Sequence, residues 1–329
     1  MKRTFRILSI DGGGIKGVYS AALLEKLEEH TGKSIAELFD LICGTSTGGL
    51  IALFLGAGFS PKEIVEFYKD NATTIFPQTK KTNYLNLLRG ISKFENKPLE
   101  DLLKDFLGNK KMRDSIIKLC IPAVDTDSEE PAVFKTGHCT MYTRDPKLSM
   151  VDVALATSAA PTYFPKYNIQ DLHRNFIDGG LSANNPSLIG VIEALNLFVG
   201  EDKPYDNFSL LSIGNIDNNT GCFDRLQKKG FWVEIQFIKR LIALFLRIQS
   251  KTTSNMTRLL AEATGSTYKR IVNNDLTREQ LKKIDLDSSD EEILNLLVAK
   301  GYSDAEQNLK DILQKKIVLL KNETEAEVL

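Results

Sequence analysis

The sequence predicts an α/β protein of three layers, with a central, mostly parallel β-sheet between two layers of helices. Apolar segments typical of buried strands alternate with segments of helical spacing between residues 5 and 214. Glycine-rich or acidic turns directly follow several of these strands. The composition, with 42% hydrophobic and 26% charged residues in a chain of 329, is that of a globular protein with a large core.

The first predicted strand, residues 5–10, leads into the glycine-rich turn 11–17 and then into a helix over residues 18–30. Such a turn places backbone N–H groups at a helix N-terminus, where they bind anions. Its spacing, Gly-x-Gly-x-x-Gly, also matches the dinucleotide-binding fingerprint. We consider that alternative weak, because the acid expected at the end of the second strand is missing and Asp40 stands at its start.

The second predicted strand runs into Gly44-Thr45-Ser46-Thr47-Gly48 and then into an apolar helix over residues 50–55. A Gly-x-Ser-x-Gly turn between a strand and a helix is the nucleophile elbow, which presents the serine hydroxyl at its tip. The turn is so tight that Gly44 and Gly48 must lack a Cβ. We therefore predict Ser46 as a nucleophile; the alternative is a glycine-rich surface turn.

The rest of the predicted core alternates in the same way. Capping boxes at Ser34 and Ser60 begin two helices, and residues 71–96 are predicted as an insertion or lid-like loop. The remaining predicted elements are a helix over 98–107, strands over 116–124 and 132–135, a helix over 151–160, a strand over 175–178, a helix over 188–198 and a strand over 208–213. Residues 12–14, Ser46 and Asp178 would each follow a strand, so we expect them together at the carboxyl edge of the sheet.

Beyond residue 217 the pattern changes. Residues 231–248 are rich in bulky apolar side chains with interspersed cations, which is typical of a packing helix and also suits a membrane-surface or lipid-channel helix. Capping boxes at Thr277 and Ser303 predict short helices in the tail. We expect a core at 1–217 and a helical C-terminal extension at 218–329 that packs on it, forming a single domain.

Charge, cysteine content and hydropathy indicate which partners and which cellular location to expect for the chain. A formal net charge of −1 gives no reason to expect DNA or RNA as a partner. The four cysteines are far apart and there are three histidines, so we predict no metal site and free thiols. The N-terminus lacks the apolar region of a signal peptide, and no window approaches the roughly 18 apolar residues of a transmembrane helix. These features predict a cytoplasmic chain.

A serine hydroxyl needs a neighbouring base to become a nucleophile. The usual α/β-hydrolase supplies a late histidine, but only two histidines follow Ser46 and both stand in polar segments. A triad of Ser46, Asp127 and His173 is one alternative. The other is a carboxylate that accepts the proton directly, for which Asp178 in Asp178-Gly179-Gly180 has the expected place at a strand end. Taken alone, that segment is as typical of a simple turn.

Together these blocks resemble the patatin-like phospholipases, lipid acyl hydrolases with a serine–aspartate dyad and a patatin-like three-layer fold. In the family's order, the chain carries Asp11-Gly12-Gly13-Gly14-Ile15-Lys16-Gly17, Gly44-Thr45-Ser46-Thr47-Gly48-Gly49 and Asp178-Gly179-Gly180. The segments 158–161, 184–186 and 268–271 look like further family blocks, so the resemblance covers residues 4–275. Where the family tends to have Gly-Thr-Gly after the last core strand, this chain has Gly214-Asn215-Ile216.

The resemblance implies a mechanism without a cofactor or calcium. The roles it implies are Ser46 as nucleophile, Asp178 as proton acceptor, the amides of Gly12, Gly13 and Gly14 as oxyanion hole, and Lys16 as a positive charge near the oxyanion or the lipid phosphate. The motif glycines are Gly17, Gly44, Gly48, Gly179 and Gly180.

The function implied is cleavage of fatty-acyl esters of membrane phospholipids by a cytoplasmic enzyme that acts at the membrane surface. The chain is also similar to patatin-like effectors of antiphage systems, which implies a cyclic-nucleotide activator. A homo-oligomer is a further candidate assembly. The alternatives are a constitutive lysophospholipase or esterase, a secreted-effector lipase, a histidine-based α/β-hydrolase, and a non-catalytic lipid or nucleotide binder.

Overall fold

A computed structural model describes residues 3–77, 92–216, 231–273 and 275–318, and it contains an eight-stranded sheet between two layers of helices. The strands are β1 (Thr4–Ile10), β2 (Leu41–Gly44), β3 (Lys118–Asp125), β4 (Glu130–Lys135), β5 (Tyr167–Ile169), β6 (Arg174–Asp178), β7 (Asn207–Ile213) and β8 (Thr267–Ile271). The helices are α1 (Gly17–Thr31), α2 (Ile35–Leu38), α3 (Thr47–Gly56), α4 (Pro61–Ile75), α5 (Asn96–Leu107), α6 (Met150–Ser158), α7 (Gly180–Ala183), α8 (Ser187–Leu197), α9 (Phe231–Ala263), α10 (Arg278–Lys283) and α11 (Glu291–Gln314). The predicted α/β class with a mostly parallel sheet is confirmed.

The strand order is β5-β6-β3-β2-β1-β7-β8, with β4 paired to β3. Five neighbouring strands are parallel to one another, namely β3, β2, β1, β7 and β8. Strands β4, β5 and β6 run antiparallel to their neighbours. The turns after β1 and β2 therefore meet at one edge of the sheet, as in other parallel sheets. Asp178 belongs to the antiparallel strand β6, so the parallel arrangement does not by itself bring it to this edge.

The register of β3 explains how Asp178 reaches that edge. Cys43 of β2 pairs with Cys120, and Asp178 pairs with Ala123, three residues further along β3. Ser46 likewise stands three residues beyond Cys43. Because β3 extends past the end of β2, the carboxyl end of β6 lies level with the turn that carries Ser46.

Both faces of the sheet are buried, as the near-continuous apolar strands require. In β1, Leu8 and Ile10 face a large core with α1, α3, α4 and α6, whereas Phe5 and Ile7 face a smaller core with α8. All four side chains are 0% exposed. The two faces of β1 therefore pack on different helical layers, as the alternating pattern of strands and helices predicted.

Several predicted elements differ from those observed. The helix predicted over 231–248 continues to Ala263, and the placement of the side chains of 231–240 lies outside what the structure describes. Ser303 lies inside α11, so its prediction as a helix start is wrong; the helix continues through the motif because its apolar positions pack on the core. The capping boxes at Ser34, Ser60 and Thr277 are confirmed. Most of the predicted lid-like loop, residues 78–91, lies outside the described residues.

The C-terminal part contributes a strand as well as helices to the fold. Strand β8, which was not predicted as a strand, pairs in parallel with β7. Helix α11 packs on α1, where Tyr19 donates a hydrogen bond of 2.6 Å to the buried carboxylate of Asp304. None of the helices in the described parts of the chain combines the length and apolarity needed to cross a membrane.

Candidate active site

The turn after β2 holds Ser46 in a strained backbone conformation. Its φ of 55° and ψ of −122° are rare for a residue with a side chain, and such strain is typical of catalytic turns. A Cβ on Gly44 would lie 2.1 Å from the carbonyl oxygen of Gly48, and one on Gly48 would lie 2.3 Å from that of Ile10. The steric requirement inferred for both glycines therefore holds in the structure.

Thr157, near the end of α6, stabilises this turn through two hydrogen bonds. Its hydroxyl accepts a hydrogen bond of 3.0 Å from the amide of Ser46 and donates one of 2.6 Å to the carbonyl of Pro122. On the other side, Thr45 donates to the carbonyl of Ala183 over 2.6 Å. No pattern in the sequence around Thr157 singled it out, because its role depends on contacts between distant segments.

Asp178 lies directly against the serine. The Ser46 hydroxyl donates a hydrogen bond of 2.5 Å to Oδ2, and the amide of Gly180 donates one of 2.7 Å to Oδ1. The Asp178 side chain is buried, with 6% of the residue exposed. Burial raises the pKa of Asp178 to about 6, although these two hydrogen bonds oppose the shift. The carboxyl group therefore titrates much closer to neutrality than an exposed aspartate.

The glycines after Asp178 permit close packing of its turn. A Cβ on Gly179 would lie 2.2 Å from the carbonyl oxygen of Pro122, within the β3 backbone. A Cβ on Gly180 would lie 3.0 Å from Asp178 Oδ1. Gly180 begins the short helix α7, so its amide points at the carboxylate. The motif thus brings Asp178 against β3 and also supplies it with a backbone donor.

The glycine-rich turn after β1 passes beside the serine, and its three amides differ in their partners. The amide of Gly12 donates to the carbonyl of Asn184 over 3.0 Å. Among the described residues, the amides of Gly13 and Gly14 have no hydrogen-bond acceptor. Gly14 has a φ of +59°, and a Cβ there would lie 2.2 Å from the carbonyl oxygen of Leu286. That carbonyl accepts from Ile15 over 2.8 Å.

Asn215 and Asn184 hold this turn in place. The Asn215 side-chain amide donates to the carbonyl oxygen of Gly12, while its own Oδ1 is buried and has no partner among the described residues. A Cβ on Gly13 would collide with the Asn215 side chain. The sequence flagged Asn215 only as a departure from the family pattern, and gave no sign of this contact.

A buried ion pair lies beneath the same turn. Arg270 of β8 donates to both carboxylate oxygens of Asp11, over 3.2 and 2.6 Å, and to the hydroxyl of Ser212 over 2.6 Å. Burial raises the pKa of Asp11, although the Arg270 guanidinium opposes the shift. The C-terminal strand thus anchors the first residue of the glycine-rich turn.

A cavity of about 760 Å³ opens over Ser46 and Asp178. Its lining includes large apolar side chains, among them Leu50, Tyr68, Phe76 and Phe164. It also includes four cationic residues, Lys16, Arg247, Lys251 and Arg270. A cavity of this size with a partly apolar lining and a few charged groups is typical of a ligand site.

Comparison with known proteins places this geometry in a family. The model of the patatin-like phospholipases matches residues 8–190, which include the elements that carry Ser46 and Asp178. The chain belongs to the patatin-like phospholipase family. It is therefore a lipid acyl hydrolase.

Three relatives of this patatin-like phospholipase carry the same name, cGAMP-activated phospholipase. The protein of Escherichia coli (strain TW11681) is 32% identical over 91% of this chain and 88% of its own length. That of Pseudomonas aeruginosa is 31% identical over 94% of this chain and 90% of its own length. That of Vibrio cholerae serotype O1 is 35% identical over 66% of this chain and 64% of its own length.

The histidines of the phospholipase lie away from the cavity. Among the described residues that line it there is no histidine. His173 ends a short turn in the left-handed conformation, and Asp127 accepts hydrogen bonds from Asn175. The structure therefore does not bring Asp127 and His173 to Ser46.

His138 belongs to a buried polar network centred on Glu193 of α8. Its Nε2 lies 2.8 Å from Oε1 of Glu193, which also accepts a hydrogen bond of 2.7 Å from Tyr142, while Oε2 accepts one of 2.6 Å from Lys135. Burial opposes the ionisation of Glu193, but these hydrogen bonds outweigh it and lower its pKa to about 2. Ligand-type atoms of Cys120, His138 and Glu193 lie within 4.8 Å of one another. Since three donors already satisfy the carboxylate, this cluster is accounted for as a buried ion-pair network.

Proposed function

We propose that this phospholipase cleaves phospholipid acyl esters through a dyad of Ser46 and Asp178. The observation that carries the proposal is the hydrogen bond of 2.5 Å between the Ser46 hydroxyl and Asp178 Oδ2. A carboxylate within hydrogen-bond reach of the hydroxyl can accept its proton as the oxygen attacks a carbonyl carbon. The strained backbone of Ser46 and the buried position of Asp178 support the same assignment.

The amides of Gly13 and Gly14 are the proposed oxyanion hole. Both lie on the turn beside Ser46 and have no acceptor among the described residues. The amide of Gly12, which the family resemblance included, already donates to Asn184, so in this proposal Gly12 orients the turn. Lys16 lines the same cavity and supplies positive charge to it. Preorganised donors of this kind typically contribute about 100- to 1000-fold in kcat.

The reaction would proceed in two steps. Asp178 takes the proton of Ser46 as Oγ bonds to the ester carbonyl carbon, and the oxyanion forms. When the C–O bond to the lysolipid breaks, the proton passes from Asp178 to the departing oxygen. Water then attacks the acyl-enzyme, Asp178 accepts its proton and returns it to Ser46 Oγ, and the fatty acid leaves. Each bond broken is replaced by one formed, and no cofactor takes part.

Membrane phospholipid is the proposed substrate because the cavity lining combines apolar and cationic side chains. An acyl chain suits Leu50, Tyr68, Phe76 and Phe164, and the phosphate of the head group suits the cationic residues.

We further propose that a cyclic oligonucleotide activates the enzyme in bacterial antiviral defence. Two relatives named cGAMP-activated phospholipases align over nine-tenths of this chain. Such an alignment includes the C-terminal part, whose strand β8 anchors Asp11. The alternative is a constitutive lysophospholipase or esterase, and the same assay distinguishes the two.

The test is hydrolysis of phospholipid vesicles by the wild type and by Ser46→Ala, with products identified by mass spectrometry. Each protein is assayed alone and with a panel of cyclic dinucleotides and trinucleotides. We expect fatty acid and lysolipid from the wild type only when one of the nucleotides is present, and none from Ser46→Ala. Retained activity in Ser46→Ala would refute the dyad. Full wild-type activity without a nucleotide would refute the activation and support the constitutive alternative.

A further inference from the structure

Helix α9 presents one side to the catalytic cavity and another to solvent. With 100° between successive residues, the side chains of Ile242, Leu246 and Ser250 fall on one face. All three line the cavity over Ser46. A second face of the same helix, centred about 120° away on the helical wheel, is exposed, and the role inferred for it rests on the proposed lipase function.

The outer face of α9 carries large apolar side chains that nothing in the described parts of the chain covers. Phe245 is 63% exposed, Ile248 52%, Met256 49% and Leu259 54%. Their spacing of three, eight and three residues keeps them within one helical face about 80° wide. Four of the eight large hydrophobic residues that are exposed in the described chain thus lie on one stripe. Such a stripe marks an interaction surface more strongly than scattered residues do.

Cationic side chains lie along one flank of this stripe. Arg247, Lys251 and Arg258 stand about 60–100° from its nearer edge on the helical wheel, and the only acidic residue between 241 and 263 is Glu262. Arg258 pairs with Glu262 over 2.6 Å, while Arg247 and Lys251 line the cavity. An apolar stripe bordered by cations is the pattern of helices that lie in the head-group region of anionic membranes.

The cationic flank of the stripe reaches the mouth of the cavity at Lys251. Leu181, Ala243 and Lys251 are exposed to solvent and also line the cavity, so they mark its opening. A protein seated on α9 would stand beside this opening and hinder a lipid from entering. A bilayer on the same face would supply its lipids to it directly.

We propose that the outer face of α9, formed by Phe245, Ile248, Met256 and Leu259, docks the enzyme on an anionic lipid surface. The four side chains enter the acyl boundary, and the cations beside them contact lipid phosphates. The opening marked by Leu181 then faces the membrane. A lipid can move from the bilayer into the cavity without crossing water, with its acyl chain toward the apolar wall.

The experiment compares the wild type with F245S/I248S and M256S/L259S. The matched control is I116S/M141S, which removes two exposed hydrophobic residues, 64% and 73% exposed, that lie outside α9. Binding is measured by co-sedimentation with vesicles of phosphatidylglycerol and phosphatidylethanolamine, and with vesicles of phosphatidylcholine alone. All binding assays use the Ser46→Ala background, so that hydrolysis does not alter the vesicles. Hydrolysis is measured separately on vesicles and on soluble p-nitrophenyl butyrate, with the activating nucleotide present if one is required.

We expect the two α9 variants to bind anionic vesicles about ten-fold more weakly and to hydrolyse them correspondingly more slowly. Hydrolysis of the soluble ester should stay at the wild-type rate, because none of the four residues lines the cavity. The control should match the wild type in both assays, and phosphatidylcholine vesicles should bind less of the wild type than anionic ones.

Several results would overturn the docking proposal. One is vesicle binding by both α9 variants equal to that of the wild type. Another is a wild-type dimer that the α9 substitutions dissociate without a change in vesicle binding, which would make the face an interface between copies. Failure of the proposed function is separate, since it would appear as ester hydrolysis that survives Ser46→Ala.

Discussion

The Ser46 hydroxyl and Asp178 Oδ2 are 2.5 Å apart, and Asp178 receives its second hydrogen bond from the amide of Gly180. Asp178→Asn keeps the shape of the side chain but removes its capacity to accept a proton. We expect kcat to fall about 1000-fold or more, the range typical for loss of a general base. The measurement is hydrolysis of p-nitrophenyl butyrate, with the melting temperature as evidence of intact folding. A folded Asp178→Asn variant with more than a tenth of wild-type activity would contradict the assignment.

The pKa of Asp178, raised by burial to about 6, predicts the pH profile of the enzyme. The carboxyl group accepts a proton only when it is ionised, so activity is lost as the pH falls through 6. We expect kcat/KM for the soluble ester to rise about ten-fold per pH unit below that value and to level off above it. Circular dichroism at each pH provides the control for unfolding. A flat profile between pH 5 and 8 would show that this group does not limit the reaction.

The raised pKa of Asp178 also predicts that ionisation of this group destabilises the folded state, whereas ionisation of a paired surface acid stabilises it. The native state holds a proton on Asp178 up to about pH 6, whereas the unfolded chain releases it near 3.8. The free energy of unfolding therefore falls as the pH rises from about 3.8 to 6, and above pH 6 it is lower by about 3 kcal/mol for a shift of this size. We expect Asp178→Asn to be more stable than the wild type at pH 7.5, and the difference to shrink at pH 4.5. Urea denaturation at both pH values measures it, and an unchanged difference would contradict this account.

How much of this site follows from the sequence depends on how local its determinants are. The elbow around Ser46 is predictable because its motif is local, and a Cβ on Gly44 would clash with Gly48 within the same five-residue turn. The sequence motif identifies Asp178 as a candidate, but it does not predict how Asp178 reaches the serine. Its strand is antiparallel and comes level with Ser46 only because β3 extends past β2. Thr157 and Asn215 carry no local signal at all. Their hydrogen bonds join segments that are about 110 and 200 residues apart in the chain.

Asn215 gives a prediction for the oxyanion turn. Its amide donates to the carbonyl of Gly12, which orients the turn that carries the amides of Gly13 and Gly14. Asn215→Asp replaces the donor with an oxygen that repels this carbonyl. We expect kcat to fall about 100-fold with little change in KM, because the turn acts on the transition state more than on substrate binding.

The matched variant is Asn215→Thr, the residue that the family tends to have at this place. Its hydroxyl can donate to the same carbonyl, so we expect it to retain most of the activity. Equal kcat values for the Asp and Thr variants would mean that the side chain does not position the turn.

The buried pair of Asp11 and Arg270 gives the last prediction. Asp11 is 3% exposed, and the Arg270 side chain is 15% exposed. Asp11→Asn would leave the guanidinium buried without its counter-charge, which typically costs about 3–5 kcal/mol in the free energy of unfolding. The exposed pair Lys97 and Asp101 is the control, and Asp101→Asn should leave the free energy of unfolding nearly unchanged.

A double-mutant cycle separates the ion pair from the packing of the two side chains. We expect Asp11→Asn with Arg270→Met to be more stable than the sum of the single effects implies, because no charge remains buried and unpaired. Urea denaturation of the four proteins gives the coupling energy. Purely additive effects would indicate that solvent or another group compensates Arg270. In that case, strand β8 would not hold the glycine-rich turn through this charge pair.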